Sequence, residues 1–153
     1  KTWGQCHPPT RTFFLQGPHK AAMDQAGLPE CAACHDRHDN RPADVGMLDK
    51  VCVNCHAADS AQAKLSLQMK TAYSRASEEI DQAHALVQKA AAIPLYVEDY
   101  QARLEEARTA LLESLPVMHS LNLASVESPT VDMIAAACTK SAPASAGTPP
   151  TFR

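Results

Sequence analysis

The chain has 153 residues, with 14 Lys and Arg against 17 Asp and Glu, so its formal charge is −3. That balance offers no basic field for nucleic acid, and no apolar run reaches the length of a membrane span. Length allows one domain, or a small domain with an appendage, expected to be soluble; no signal peptide stands at the N-terminus, so an exported chain has lost its leader.

Residues 1–58 are poor in aliphatic side chains and rich in Pro, His, Cys, Asp and Arg. Such a segment lacks the apolar surface to offset its own ordering entropy, so something other than protein must fill it. His7-Pro8-Pro9, Gly17-Pro18-His19, Leu28-Pro29 and Arg41-Pro42 punctuate it, and the segment reads as loops and short turns without strands.

From about Ser60 to Ala92 the apolar positions Leu65, Met69, Ala72, Ala76, Ile80, Ala83, Val87 and Ala90 recur at steps of three and four, which predicts one long amphipathic helix ended by Pro94. A second stripe, Val97, Tyr100, Leu104, Ala107, Leu111, Leu115 and Met118, predicts another, with Pro116 as a bend or stop. The short connector folds them into an antiparallel hairpin. Ser128-Pro129 supplies an N-cap and first-turn proline for a short third helix through about Thr139. Residues 141–153 read as a Pro-rich tail. The expected class is therefore mainly α: a loop-rich segment (1–58), a hairpin with a short helix (59–140) and a tail.

Four of the six cysteines form two C-x-x-C pairs, each followed at once by histidine: Cys31-Ala32-Ala33-Cys34-His35 and Cys52-Val53-Asn54-Cys55-His56. In a C-x-x-C-H unit the two thiols attach one haem through its vinyl groups and the histidine is the proximal iron ligand. A four-cysteine zinc ribbon also matches the spacing between the pairs, but needs no histidine after each and wants hairpin turns that are missing. A redox dithiol is the other rival.

Paired C-x-x-C-H motifs, Gly17-Pro18-His19-Lys20 ahead of them and His38 trailing the first make residues 3–58 resemble the multihaem c-type cytochromes; the helical hairpin looks like the C-terminal region of some of these proteins. The resemblance implies electron transport by haem c in the periplasm or outside the cell. It also implies that irons are bound by two histidines, one of them often ahead of a haem motif. By that habit His19 would serve the iron at His35, and His38 that at His7.

Trp3-Gly4-Gln5-Cys6-His7 departs from the pattern, with tryptophan where the first cysteine belongs. A third haem would attach there through a single thioether at Cys6, with His7 as proximal ligand and Trp3 on the ring. A Cys6–Cys138 disulfide or an unmodified thiol are the other readings. Of seven histidines, three follow cysteine (His7, His35, His56) and four do not (His19, His38, His84, His119). Three bis-histidine haems would use six. The antiparallel return brings residue 119 level with about residue 70, which favours His119 over His84 as distal ligand of the haem at Cys52 and Cys55. His84 is then a helix-surface histidine or a ligand to a neighbouring subunit's haem. Met23 and Met47 are competing axial ligands, while Met69, Met118 and Met133 fall at helical core positions.

With every coordination sphere closed, the expected role is electron carriage rather than catalysis. The alternative is a haem enzyme reducing a small oxidised nitrogen compound or peroxide at an open iron. Expected partners are redox proteins, with self-assembly through His84 or the tail as a further possibility in which haems connect end to end.

Overall fold

The computed structural model describes residues 3–35 and 43–126, and the account below is confined to them. All the regular structure there is helical. Three helices open the chain: α1 (Trp3–Cys6), α2 (Pro8–Gln16) and α3 (Pro18–Ala26). Where loops were expected, the prolines turn out to start helices. Pro8, Pro9 and Pro18 occupy first-turn positions, where a missing N–H breaks no helical bond and a fixed φ is already helical. Gly27 closes α3 in the left-handed conformation, φ 64°, and its N–H bonds back to Asp24.

Two short pieces follow, a 3-10 turn at Cys31–Ala33 and a run through Val45–Met47, α4 (Leu48–Val51) and Cys52–Asn54. The hairpin is as the periodicity requires. Helix α5 (Ala61–Ala91) starts at Ser60, whose hydroxyl accepts the Ala63 N–H at 3.2 Å, and α6 (Glu98–Val117) ends in a 3-10 turn, Met118–Ser120. Pro116 lies inside the last turn of α6 without ending it.

Two apolar clusters hold the hairpin. Along its middle Ala76 and Ile80 of α5 pack on Ala107 and Leu111 of α6, with Tyr73 alongside; the small alanines let the helices approach closely. At its base Met69, Met118 and Val126 are buried, with Val45 and Leu48 from the motif region packed on them. A short third helical stretch occupies residues 123–126, ahead of the expected start at Ser128. The expected span from Ser128 to Thr139 lies outside the described residues, as do the tail and His38.

The N-terminal helices dock at the base of the hairpin. Helix α2 packs on α6 and on the Met118–Ser120 turn, while α4 packs on α5, where Lys70 pairs with Asp49. Both C-x-x-C-H segments are thereby brought to one end of the hairpin. The opposite end stands clear, with Leu86, Ile93, Leu95 and Tyr96 exposed.

Candidate haem site

Both C-x-x-C-H segments adopt the same backbone shape. The Cys31 carbonyl accepts the amides of Cys34 at 3.2 Å and His35 at 2.9 Å; the Cys52 carbonyl accepts those of Cys55 at 3.3 Å and His56 at 3.0 Å. One helical turn per motif sets its two thiols, three residues apart, on one face, with the histidine at the exit of the turn. The motifs are also neighbours. Burial pushes the Cys34 thiol above its ordinary pKa, and the thiols of Cys52, Cys55 and Cys31 push it the same way.

Each motif histidine faces a second histidine from a distant part of the chain. His56 lies opposite His19, with ring centres 5.9 Å apart and planes 27° from parallel. His35 lies opposite His119, at 6.1 Å and 18°. These gaps are wider than face contact, which sets carbon atoms about 3.5–4.0 Å apart. The rings of each pair are near parallel, and the distance between their centres can also be compared with that of two imidazoles on one iron. A histidine nitrogen sits about 2 Å from a metal it binds, and the ring centre roughly 1 Å behind it, so two imidazoles across one iron have centres roughly 6 Å apart.

The protonation states fit as well. His19 is held below the ordinary imidazole pKa by burial and then by His56; His35 is held below it by burial and then by His119. A neutral ring is what a metal requires. His119 Nδ1 donates to the Pro116 carbonyl at 3.2 Å, which leaves Nε2 as the nitrogen with a free lone pair. Beside it Ser120 Oγ is buried without a hydrogen-bond partner in the protein, a polar atom that a group seated between the histidines could satisfy.

Among the described residues no three His, Cys, Asp or Glu side chains converge on one point as a simple metal-ion site. A porphyrin brings four nitrogens of its own and needs only two from the protein. The residues therefore fit haem, two thiols and two imidazoles for each.

The ring contacts run differently from the expected ligand pairing. His119 faces His35, not His56, and His19 faces His56, not His35. The fold-back estimate itself was sound, since Met118 and Met69 share a cluster. Yet Met69 lies roughly 12 Å along α5 from Ala61 at 1.5 Å per residue, and His56 comes five residues before Ala61. It is His35, carried in behind α2 and α3, that meets His119 at that level. Pro116, expected as a bend or stop, lies inside the last turn of α6 and supplies the carbonyl bonded to His119.

At the N-terminus Trp3 heads α1, while Cys6 and His7 are exposed. The His7 carbonyl accepts the Arg11 N–H at 3.1 Å. The partners foreseen for this segment, His38 and Cys138, are outside the described residues. His84 is half-buried on α5, 3.5 Å from the Gln88 side chain and roughly 35 Å along the helix from its start. Met23, Met69 and Met118 are buried as packing residues and Met47 is half-buried.

Residues the motifs do not reveal complete the site. Glu30, just ahead of Cys31, pairs with Lys20 at 3.3 Å and Arg11 at 3.7 Å, tying the first motif to α2 and α3. Gly17 is buried where α2 meets α3, against the Met118–Ser120 turn. Compared with models of protein families, with curated proteins and with solved structures, the chain matches none.

Proposed function

We propose that the chain is an electron carrier holding haem c at both C-x-x-C-H motifs, each iron bound by two histidines, and acting outside the cytoplasm. The observation that carries the reading is the pair of facing histidines at each motif, at the spacing of opposite axial ligands. Cys31 and Cys34 would attach one haem, with His35 and His119 on its iron; Cys52 and Cys55 would attach the other, with His56 and His19. Each thiol adds across a vinyl double bond, its sulfur to one carbon and its hydrogen to the other, so attachment needs no oxidant.

Haem supplies a one-electron couple; the chain sets its ligation, spacing and exposure. Burial, and then the facing histidine, favours the neutral form of His19 and His35, the form that binds a metal. An iron held by a histidine on both sides would leave no open position for a substrate, which favours carriage over reduction of a nitrogen compound or peroxide. Cys34 lies near enough to Cys52 and Cys55 for their thiols to raise its pKa, so haems held at the two motifs would be neighbours with a short path for an electron between them.

A third haem on Cys6 by one thioether, with His7 and His38 on its iron and Trp3 against its ring, belongs to the same proposal. So do redox proteins as partners and a periplasmic or extracellular location. His84, far along α5 from both histidine pairs, and the tail, outside the described residues, are the segments proposed for contact between copies. No helix among the described residues is long and apolar enough to cross a membrane.

Intact mass under denaturing conditions tests the core of this reading, since covalent haem survives and can be counted. Two haems are expected from the motifs and a third from Cys6, lost on Cys6→Ser. A mass equal to the bare chain would remove the proposal. Failure of ferrous protein to bind carbon monoxide would separate carriage from catalysis, because an open iron binds it stoichiometrically.

A further inference from the structure

Gly17 stands at a crossing of the two histidine pairs. It immediately precedes Pro18-His19, and so fixes where the segment bearing His19 begins. Its own backbone also lies against the turn that bears His119. A Cβ at position 17 would lie 2.8 Å from the His119 carbonyl oxygen and 3.3 Å from that of Ser120. Nothing in its dihedrals demands glycine, since its φ is −82°. The demand is for space between two backbones.

Resting on the two-haem reading above, we infer that Gly17 is a positioning residue: its missing side chain lets the Met118–Ser120 turn seat closely enough for His119 to reach the iron at His35. The near side of this contact is firm. The Gly17 N–H bonds to the Phe14 carbonyl at 3.1 Å, and Arg11 and Lys20 both pair with Glu30 ahead of the first motif. The far side is the softer one, a single 3-10 turn at the end of α6, closed by Leu121 in the left-handed region at φ 54°. An added methyl therefore moves the turn rather than the α2–α3 junction. Relief of a 2.8 Å contact needs a shift of several tenths of an ångström, comparable with the tolerance of about 0.5 Å that a preorganised ligand set allows. The His35 backbone is anchored in its own motif turn by the bond from its N–H to the Cys31 carbonyl, so a shift of the opposite turn should widen the gap between His35 and His119.

The test is Gly17→Ala in the full haem-loaded chain, followed by visible spectrum and carbon monoxide uptake of the ferrous form. One haem per chain should gain carbon monoxide binding, and added imidazole should restore the six-coordinate spectrum by filling the vacated position. Gly27→Ala is the reference. Gly27 needs its positive φ but has open space around it, so alanine there strains the backbone without touching either histidine pair, and should take up no carbon monoxide. If Gly17→Ala fails to accumulate, Gly17→Ala with Leu121→Gly lets the turn give way, with Leu121→Gly alone as its reference. Equal uptake by either variant and its reference overturns the role of Gly17 while leaving the haem reading intact. A denatured mass without haem in the unchanged chain overturns the haem reading instead.

Discussion

His119 and His19 can be exchanged between motifs on paper, and only coordinates distinguish the two arrangements. Carbon monoxide distinguishes them in solution. In a chain with Cys52→Ser and Cys55→Ser, the haem at Cys31 and Cys34 should become fully reactive toward carbon monoxide on His119→Ala and stay closed on His19→Ala. The reverse result would restore the pairing expected from sequence. His84→Ala should leave the spectrum of a dilute monomer unchanged, since His84 lies far along α5 from both pairs; a change seen only in an assembled state would assign it to a contact between copies. The cysteines and motif histidines were legible because attachment chemistry fixes their spacing within five residues. His119 was singled out by the fold-back of the hairpin and His19 by the resemblance, but which motif histidine each ring faces was not legible, because it depends on the height at which α2 and α3 meet the hairpin. Gly17 and the Pro116 carbonyl left no signal, because a close backbone approach and a carbonyl acceptor have no characteristic side chain.

At the level of elements, both helices of the hairpin were legible, although Tyr100, in the expected stripe, is exposed and Ser66, Ala110 and Ser114, outside it, are buried. The 3.6-residue stripe placed Met69, Ala76 and Ile80 of α5 and Ala107 and Leu111 of α6 in the core, where they are buried. The N-terminal helices were not, because Pro8, Pro9 and Pro18 were read as breaks when each marks a helix start. Two substitutions separate local from tertiary support. Ser60→Ala removes the cap of α5 and should cost about 1 kcal/mol, read as a lower unfolding midpoint with the spectrum unaltered. Met69→Ala, at a position wholly shielded from solvent in the base cluster, should cost about 2–5 kcal/mol. It should also loosen His119, because Met118 packs in the same cluster; a midpoint shift below about 1 kcal/mol would contradict that packing.

For the whole molecule, the base of the hairpin is where protein packing and cofactor would meet. The middle of the hairpin has its own apolar cluster, Ala76, Ile80, Ala107 and Leu111, whereas the docking of α2 and α3 relies on few buried side chains, Met23 among them. A chain made without haem should therefore keep much of its helical circular dichroism from α5 and α6 while its first 58 residues become protease-sensitive. Protection of both regions alike would show that protein contacts alone hold the segment. Loss of one axial bond should release less than loss of haem, since each iron would join two separate parts of the chain.

The order of the facing histidines along the chain, His19, His35, His56 and then His119, alternates between the two sites. A polypeptide delivered from its N-terminus presents His19 and His56, with both cysteines of the second motif, while the hairpin is still to come. The first motif would by then have its thiols and His35 but would wait for roughly sixty further residues before His119 arrives. Maturation would thus be staggered: the downstream motif can close first, and the upstream one completes only when α6 has folded back, so a finished coordination sphere at His35 reports that the entire hairpin has been made.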